Sequence, residues 1–350
     1  MLWDVFCRVV DNFGDIGVCW RLARELAARG ERVRLSVDDA GALGWMAPGG
    51  ARGVDVVPWN DAQSLEPGDV VIEAFGCDPP QAFIARMKRA RPPVWINLEY
   101  LSAERQAERN HGLPSPQLSG PAAGLTKWFY YPGFTAASGG VIREQGLCAE
   151  QAAFDRARWL GSLGLDVRPG ERIVTLFCYD NAAVPALLHA LAGQPTLLLT
   201  APDKAARQVH DALDESQRVD RLRAHRLPYL SQDDFDRLLW ASELNFVRGE
   251  DSFVRAQLAG RPFVWHAYPQ DDGAHAAKLD AFLALYLQDA PPELGQAVRG
   301  LSAAWNGLGP WPHRVPLDVG WAAHAAHWQS VLFAQPDLVT RLLGFVHEKR

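Results

Sequence analysis

The first 29 residues decide the fold class. Leu2–Val10 (LWDVFCRVV) is a mainly apolar run, Asp11–Gly17 (DNFGDIG) is polar and contains glycine, and Val18–Arg29 (VCWRLARELAAR) carries apolar residues at helical spacing. A buried strand, a turn and a helix in this order form the opening of a βα unit. We therefore predict an α/β chain whose sheets are mainly parallel.

The strand–helix alternation continues to about residue 98, is interrupted, and then restarts. Asn110–Thr126 is rich in Pro, Gly and Ser and is predicted to be an unstructured stretch. Ala149–Leu160 is predicted to be one helix, and Gly161–Gly170 a polar linker. A second series of strands begins at Arg172–Cys178. The restart indicates two domains rather than one.

We predict two Rossmann-like domains with a cleft between them. The first comprises residues 1–168 and a C-terminal helix at 334–350, and the second comprises residues 169–333. In such sheets, ligands bind at the carboxyl ends of the strands.

Composition excludes several classes of protein. The chain has 350 residues with a net charge of −6, which argues against a nucleic-acid partner. No apolar run approaches the ~18–20 residues of a membrane span, so no membrane association is expected. The five cysteines are scattered and form no C-x-x-C pair, which indicates reduced thiols and a cytoplasmic location.

The loop Asp11–Gly17 departs from the G-x-G-x-x-G pattern of dinucleotide-binding folds, since it carries two carboxylates. Two negative charges suit a cation or a proton donor better than a phosphate. The alternative is structural: Asp15 could be a helix N-cap and Asp11 a turn residue. The loop itself does not decide between them.

The segment Arg248–Ser252 (RGEDS) follows a predicted strand at 243–247 and opens a helix. The Arg248 guanidinium, the Ser252 hydroxyl and the N–H groups of a helix N-terminus suit a diphosphate. Glu250 and Asp251 also fit ordinary chemistry of a first helical turn. We favour the phosphate site because the strand–turn–helix context agrees with it.

Aromatic side chains mark the end of the second domain's first strand. Phe177 and Tyr179, with Phe235, could stack on a nucleobase, although core packing is the commoner fate of such residues. His324 and His327 stand three apart on a predicted helix, but no third ligand has suitable spacing. We interpret them as a surface pair rather than a metal site.

Four motifs together resemble a known family. They are DNFGDIGVCWRLAREL at Asp11–Leu26, RGEDSFVRAQLAGRPFVWHAYPQ at Arg248–Gln270, FCYDN at Phe177–Asn181 and PYLSQDDFDRLLW at Pro228–Trp240. The chain resembles the bacterial protein-arginine rhamnosyltransferases of elongation factor P, the EarP family, over essentially its whole length.

The resemblance implies a GT-B fold and an inverting glycosyltransferase that needs neither cofactor nor metal. The donor would be dTDP-β-L-rhamnose, and the acceptor one arginine of elongation factor P. That modification would activate elongation factor P for the rescue of ribosomes stalled at proline runs.

The resemblance also implies roles for individual residues. Asp15 resembles the general base or guanidinium activator, Asp11 its partner, and Glu250 a third essential acid. The acceptor would be bound by Asp11, Asn12, Phe13, Gly14 and Asp15. The donor would be bound by Phe177, Tyr179, Gln232, Phe235, Arg248, Gly249, Asp251, Ser252 and Tyr268.

Two alternatives remain open from the residues themselves. One is a GT-B enzyme that uses a different nucleotide sugar or a small-molecule acceptor. The other is a catalytically silent protein that binds a nucleotide or a partner. The pair of acids in the first loop favours a cationic acceptor, because a hydroxyl acceptor needs one base rather than a grip by two.

Overall fold

A computed structural model describes residues 1–10, 13–202, 204–213, 217–270, 273–312, 315–317 and 320–350. The chain divides into two compact units, Met1–Glu144 with Phe333–Arg350, and Gln145–Leu332. We predicted the boundary after residue 168, but the structure assigns 145–168 to the second unit. The reason is packing, since Leu160 and Leu165 lie in one apolar core with Ile173 and Leu197.

The first unit contains a seven-stranded sheet in the order β3-β2-β1-β4-β5-β7-β6. Neighbouring strands are parallel, except that β6 runs antiparallel to β7. The strands are β1 (Leu2–Cys7), β2 (Arg32–Val37), β3 (Val54–Pro58), β4 (Val70–Ala74), β5 (Val94–Leu98), β6 (Pro114–Pro116) and β7 (Thr126–Tyr130).

The helices of this unit are α1 (Gly14–Ala28), α2 (Leu43–Met46), α3 (Trp59–Ala62), α4 (Gln81–Arg86), α5 (Arg105–Asn110) and, from the end of the chain, α15 (Leu338–Lys349). Leu22 and Leu26 of α1 share a core with Leu342 and Val346 of α15. Arg29 fastens the two helices together, because its guanidinium bonds Glu25 and Asp337 at 2.8 and 2.7 Å.

The second unit contains a six-stranded sheet in the order β10-β11-β9-β8-β12-β13, which is parallel except for β10. The strands are β8 (Arg172–Leu176), β9 (Thr196–Thr200), β10 (Arg218–Val219), β11 (Leu222–Arg226), β12 (Leu244–Arg248) and β13 (Phe263–His266). The helices are α6 (Leu147–Ala152), α7 (Arg156–Ser162), α8 (Val184–Ala192), α9 (Lys204–Ala212), α10 (Gln232–Ala241), α11 (Asp251–Leu258), α12 (Ala274–Tyr286), α13 (Pro292–Trp305) and α14 (Trp321–Phe333).

A buried ion pair links α10 to α11. Arg255 and Asp236 form two hydrogen bonds of 2.9 and 2.6 Å, and both side chains are at most 5% exposed. Both helices begin at the carboxyl edge of the sheet, so this pair holds their N-termini next to each other. Those N-termini carry several of the predicted donor-binding residues.

Three local predictions were wrong. The predicted turn Asp11–Gly17 ends earlier, because α1 begins at Gly14. The stretch Asn110–Thr126 is not unstructured, since it contains β6 and a 3-10 turn. The single helix Ala149–Leu160 is two helices, because Asp155 starts α7 by accepting a hydrogen bond from the Arg158 N–H at 3.0 Å. Within the described ranges, no helix is both long and apolar enough to cross a membrane.

Both sheets reverse their strand order at one point. In the first unit, β2 and β3 lie on one side of β1 while β4 and β5 lie on the other, and in the second unit β8 and β12 flank the same kind of point. Beyond the carboxyl ends of the strands at such a switch point, the flanking loops leave a crevice. The candidate site residues lie at these two places.

Candidate active site

Asp15 is the second residue of α1 and is only 3% exposed. Its Oδ2 accepts a hydrogen bond from the Val10 N–H at 2.8 Å, and its Oδ1 lies 3.5 Å from the Tyr100 hydroxyl. The interpretation of Asp15 as an N-cap is wrong, because Phe13 occupies the N-cap position. Asp15 is instead a carboxylate held by the backbone after β1 at the first switch point.

The rest of the acidic loop is described in part. Phe13 packs edge-on against Trp45, with ring centroids 5.1 Å apart, and Gly14 is the first residue of α1. Asp11 and Asn12 lie outside the described residues, so their predicted roles stay predictions.

A cavity of about 440 Å³ lies beside Asp15 at the same edge of the first sheet. It is lined by residues at or soon after the ends of β1, β4 and β5, namely Arg8, Val10, Ala74, Phe75, Gly76, Cys77, Asp78 and Tyr100. This volume falls within the range of small-ligand sites. Sequence reasoning did not single out Tyr100, although an aromatic residue just after a parallel strand was a usable signal.

The second switch point is organised around Arg248, the last residue of β12. Its guanidinium lies over the rings of Phe177 and Tyr179, 4.6 and 4.5 Å from their centroids. The residue is 8% exposed, and its Nη1 has no hydrogen-bond acceptor among the described residues. A buried cation with an unsatisfied N–H group favours an anionic ligand, because burying an unpaired charge costs free energy.

The turn after Arg248 has the geometry that sequence reasoning predicted. Gly249 has a φ of +62°, a conformation that costs glycine little, and it leads into α11, whose N-cap is Glu250. Asp251 accepts a hydrogen bond from the Gln232 side chain at 3.3 Å, joining the starts of α10 and α11. The Ser252 hydroxyl donates to the Arg248 carbonyl oxygen and accepts from the Arg248 N–H, so it also holds the turn together.

The predicted aromatic contacts surround Arg248. Phe177 meets Phe235 edge-on at 5.5 Å, and Tyr179 meets Tyr268 edge-on at 5.2 Å. Tyr179 is buried whereas Tyr268 is 57% exposed. The structure thus brings the predicted donor-binding residues of the second unit together at one edge of its sheet.

His266 is a site residue that sequence reasoning missed. It ends β13, pairs with Arg248 across the sheet, and packs edge-on against Tyr179 at 5.3 Å. Burial, with the nearby positive charge of Arg248, lowers the pKa of His266 to about 4. The ring is therefore neutral at pH 7 and adds no charge beside the guanidinium. Its position at the end of the strand after RGEDS was the available signal.

The histidine pair on α14 was predicted to lie on the surface, and this is wrong for His324. Its Nε2 lies 2.8 Å from the Tyr286 carbonyl oxygen, and burial lowers its pKa. Among the residues that the structure describes, no cluster of three His, Cys, Asp or Glu side chains has the geometry of a metal site. The five cysteines are free thiols.

A family model described as elongation factor P (EF-P) rhamnosyltransferase EarP matches residues 3–347. The protein-arginine rhamnosyltransferase of Pseudomonas aeruginosa is 44% identical over 98% of both chains. A solved structure described as the structural basis for EarP-mediated arginine glycosylation of translation elongation factor EF-P is 33% identical, covers 100% of this chain and 99% of its own, and superposes with a TM-score of 0.68.

More distant solved structures have the same fold. MurG from Acinetobacter baumannii is 14% identical over 99% of both chains, with a TM-score of 0.53. The prediction of a GT-B fold is confirmed, and so is the prediction that the chain is a glycosyltransferase.

Proposed function

Because this chain belongs to the elongation factor P rhamnosyltransferase (EarP) family, we propose that it transfers L-rhamnose from dTDP-β-L-rhamnose to one arginine side chain of elongation factor P, with inversion at the anomeric carbon. The product would be an α-rhamnosyl group linked to a guanidinium nitrogen. The protein-arginine rhamnosyltransferases that share 36–44% of its sequence support this choice of reaction.

The single structural observation that carries the proposal is the environment of Arg248. The Arg248 guanidinium is suited to receive the donor's diphosphate because it is 8% exposed, lies over two aromatic rings and has an N–H group with no acceptor in the part of the chain that the structure describes. Arginine binds phosphate with paired N–H groups, and the adjacent N-terminus of α11 adds backbone donors and a favourable dipole. As the bond to the sugar breaks, negative charge grows on this diphosphate, and both groups stabilise it.

The nucleoside end of the donor would lie against the aromatic side chains around Arg248. Phe177, with Phe235 edge-on to it, offers a flat surface for the thymine base, and Tyr179 and Tyr268 offer hydroxyl groups close to the diphosphate. In this assignment Gln232 orients Asp251 at the start of α11. Gly249 allows the backbone to approach the ligand closely.

The acceptor end requires a different chemistry. A protonated guanidinium is a poor nucleophile, so the enzyme must hold it and remove one proton as the new bond forms. Oδ2 of Asp15 accepts a hydrogen bond from the Val10 N–H, and Oδ1 lies 3.5 Å from the hydroxyl of the cavity residue Tyr100. We assign Asp15 as the base, with Asp11 as the second carboxylate that grips the guanidinium.

The proposed step balances as a single displacement. A guanidinium nitrogen of the acceptor forms a bond to C1 of rhamnose while the bond between C1 and the diphosphate oxygen breaks. The nitrogen loses one proton to the carboxylate, and dTDP leaves with its negative charge held by Arg248. Glu250, the N-cap of α11, would act as the third acid, stabilising positive charge that develops on the sugar. No metal is assigned a part in this step.

The discriminating experiment separates turnover from donor binding. We expect Asp15→Asn to lower the rate of dTDP release in the presence of elongation factor P by about 10²–10⁴-fold, the usual contribution of a general base. The dTDP dissociation constant should not change, because Asp15 belongs to the first unit. Turnover near the wild-type rate would remove Asp15 from the role of base.

A further inference from the structure

We propose that the acceptor's arginine side chain stacks on the ring of Tyr100, in the cavity at the switch point of the first unit. This inference rests on the proposed function, because it takes the acceptor to be a guanidinium. It adds Tyr100 as a substrate-contacting residue and Phe75 as the residue that positions it.

The cavity lies at the ligand-binding edge of the first sheet. Its lining residues lie at or soon after the carboxyl ends of β1, β4 and β5, the place where an open parallel sheet binds its ligand. In the second unit the corresponding place carries Arg248 and its aromatic neighbours. The proposed function assigns the donor to that second site, which leaves the acceptor for the first.

Tyr100 presents an exposed aromatic ring close to Asp15. Its ring stacks on Phe75 with centroids 4.2 Å apart and planes inclined by 12°. It is 47% exposed even so, and its hydroxyl lies 3.5 Å from Oδ1 of Asp15. A guanidinium bonded to Asp15 would therefore lie within reach of the ring, and guanidinium groups stack well on aromatic rings.

Phe75, which supports the Tyr100 ring, lies in an unusual backbone conformation. This residue has a φ of +58°, and within the next three residues Gly76 and Asp78 have φ values of +67° and +42°. A non-glycine residue held at positive φ is costly and is concentrated at ligand-binding sites. The turn is kept in place by hydrogen bonds from the Gly76 N–H to Asn97 and from the Cys77 thiol to the Phe6 carbonyl oxygen.

Both acidic and basic groups surround the cavity. Asp78 lines it with a side chain that is 82% exposed, and the Asp78 carboxylate lies 3.8 Å from the Lys127 ammonium. Asp15 lies beside the cavity, with Oδ1 3.5 Å from the Tyr100 hydroxyl. Arg8 also lines the cavity, but its guanidinium lies over the Trp59 ring, 4.7 Å from the centroid. This edge of the sheet therefore already holds one guanidinium on an aromatic face, the contact we assign to the acceptor.

The test compares two substitutions that differ in the aromatic ring. Tyr100→Phe keeps the ring, whereas Tyr100→Leu keeps an apolar contact with Phe75 but removes the aromatic face. We expect Tyr100→Leu to raise the acceptor KM about ten-fold, as loss of a partly desolvated cation–π contact would. Tyr100→Phe loses the hydroxyl near Asp15 but keeps the ring, so its acceptor KM should rise much less than that of Tyr100→Leu. Leu113→Ala, a residue with a similar exposure of 48%, is the matched control.

A binding cycle tests the contact without turnover. Calorimetry would measure binding of unmodified elongation factor P, and of its variant with the target arginine replaced by Ala, to the wild-type enzyme and to Tyr100→Leu. We expect Tyr100→Leu to weaken binding about ten-fold for the arginine form and to leave binding of the alanine form unchanged. Equal effects on both forms, or no effect on either, would overturn the stacking assignment.

Failure of the inference is distinguishable from failure of the proposed function. If the wild-type enzyme adds no rhamnose to elongation factor P, the proposed function falls. If it adds rhamnose and the Tyr100→Leu enzyme has the wild-type acceptor KM, only the subsite assignment falls. Melting temperatures of the variants, measured in parallel, show whether a loss of fold explains a raised KM.

Discussion

Replacing Arg248 by Met separates its two effects, one on the folded protein and one on the donor. Met has a similar length and fills the space between Phe177 and Tyr179, but it carries neither charge nor N–H groups. In the absence of ligand, the change loses two cation–π contacts of about 0.5–2 kcal/mol each. It also removes a buried cation with an unsatisfied N–H group. Burying that group costs the wild-type protein a similar amount of free energy, so its removal offsets the lost contacts. We expect the unfolding free energy of the ligand-free protein to change by less than about 1 kcal/mol.

The expected loss of dTDP affinity is large, because the Met side chain offers the diphosphate no hydrogen bond or charge in place of the guanidinium. Hydrogen bonds to charged groups contribute about 1.5–3 kcal/mol, so dTDP affinity should fall by about 10- to 150-fold. At a dTDP concentration of about 100 times the wild-type dissociation constant, ligand stabilises the wild-type protein by about 2.7 kcal/mol. A 30-fold weaker variant would gain only about 0.9 kcal/mol under the same conditions.

Chemical denaturation with and without dTDP measures both quantities on the same samples. The expected pattern is similar ligand-free stability and a reduced gain on adding dTDP. A variant that keeps the full gain would refute the assignment of Arg248 to the diphosphate. A variant that loses several kcal/mol without ligand would show that Arg248 is chiefly structural.

Three further predictions follow from buried charges and from the proposed step. The pKa of His266, about 4, lies below that of an unfolded histidine, so the free energy of unfolding should fall by about 3 kcal/mol between pH 6.5 and 4. His266→Phe should make this fall smaller. A His266→Phe protein with the wild-type pH profile of unfolding would contradict the role of His266. Arg255→Met should cost about 3–5 kcal/mol in urea unfolding by stranding Asp236, whereas Arg237→Met in the exposed pair with Asp234 should cost at most about 1 kcal/mol; equal costs would refute this. Chelation with EDTA should leave rhamnosyl transfer unchanged; a loss restored by a divalent cation would show that a metal takes part.

Much of the fold could be predicted because parallel strands and their helices have strong local patterns. The run Leu2–Val10 and the strands around Arg248 are apolar segments bounded by turns, and their periodicity is independent of distant contacts. The boundary between the two units could not be predicted from the sequence in the same way. Residues 145–168 join the second unit because Leu160 and Leu165 enter its core, and that tertiary packing leaves no local signal.

In the candidate site, the residues with local sequence signals could be predicted, and those placed by tertiary packing could not. The RGEDS turn combines a strand end, a glycine and a helix start, and its chemistry could be interpreted from neighbouring residues alone. Tyr100 and His266 gain their positions from the order of strands in the sheets, which places residues distant in sequence beside Asp15 and Arg248. Phe75, at positive φ, likewise belongs to a turn that is held by hydrogen bonds to Asn97 of β5 and Phe6 of β1, and its own residue type does not indicate this conformation.

The most direct measurement is the intact mass of elongation factor P after incubation with this enzyme and dTDP-β-L-rhamnose. We predict a gain of one deoxyhexose, absent when the target arginine is replaced by Lys and greatly slowed with Asp15→Asn. An unchanged acceptor mass, from an enzyme that still binds dTDP, would contradict the proposed pairing of this donor with this acceptor.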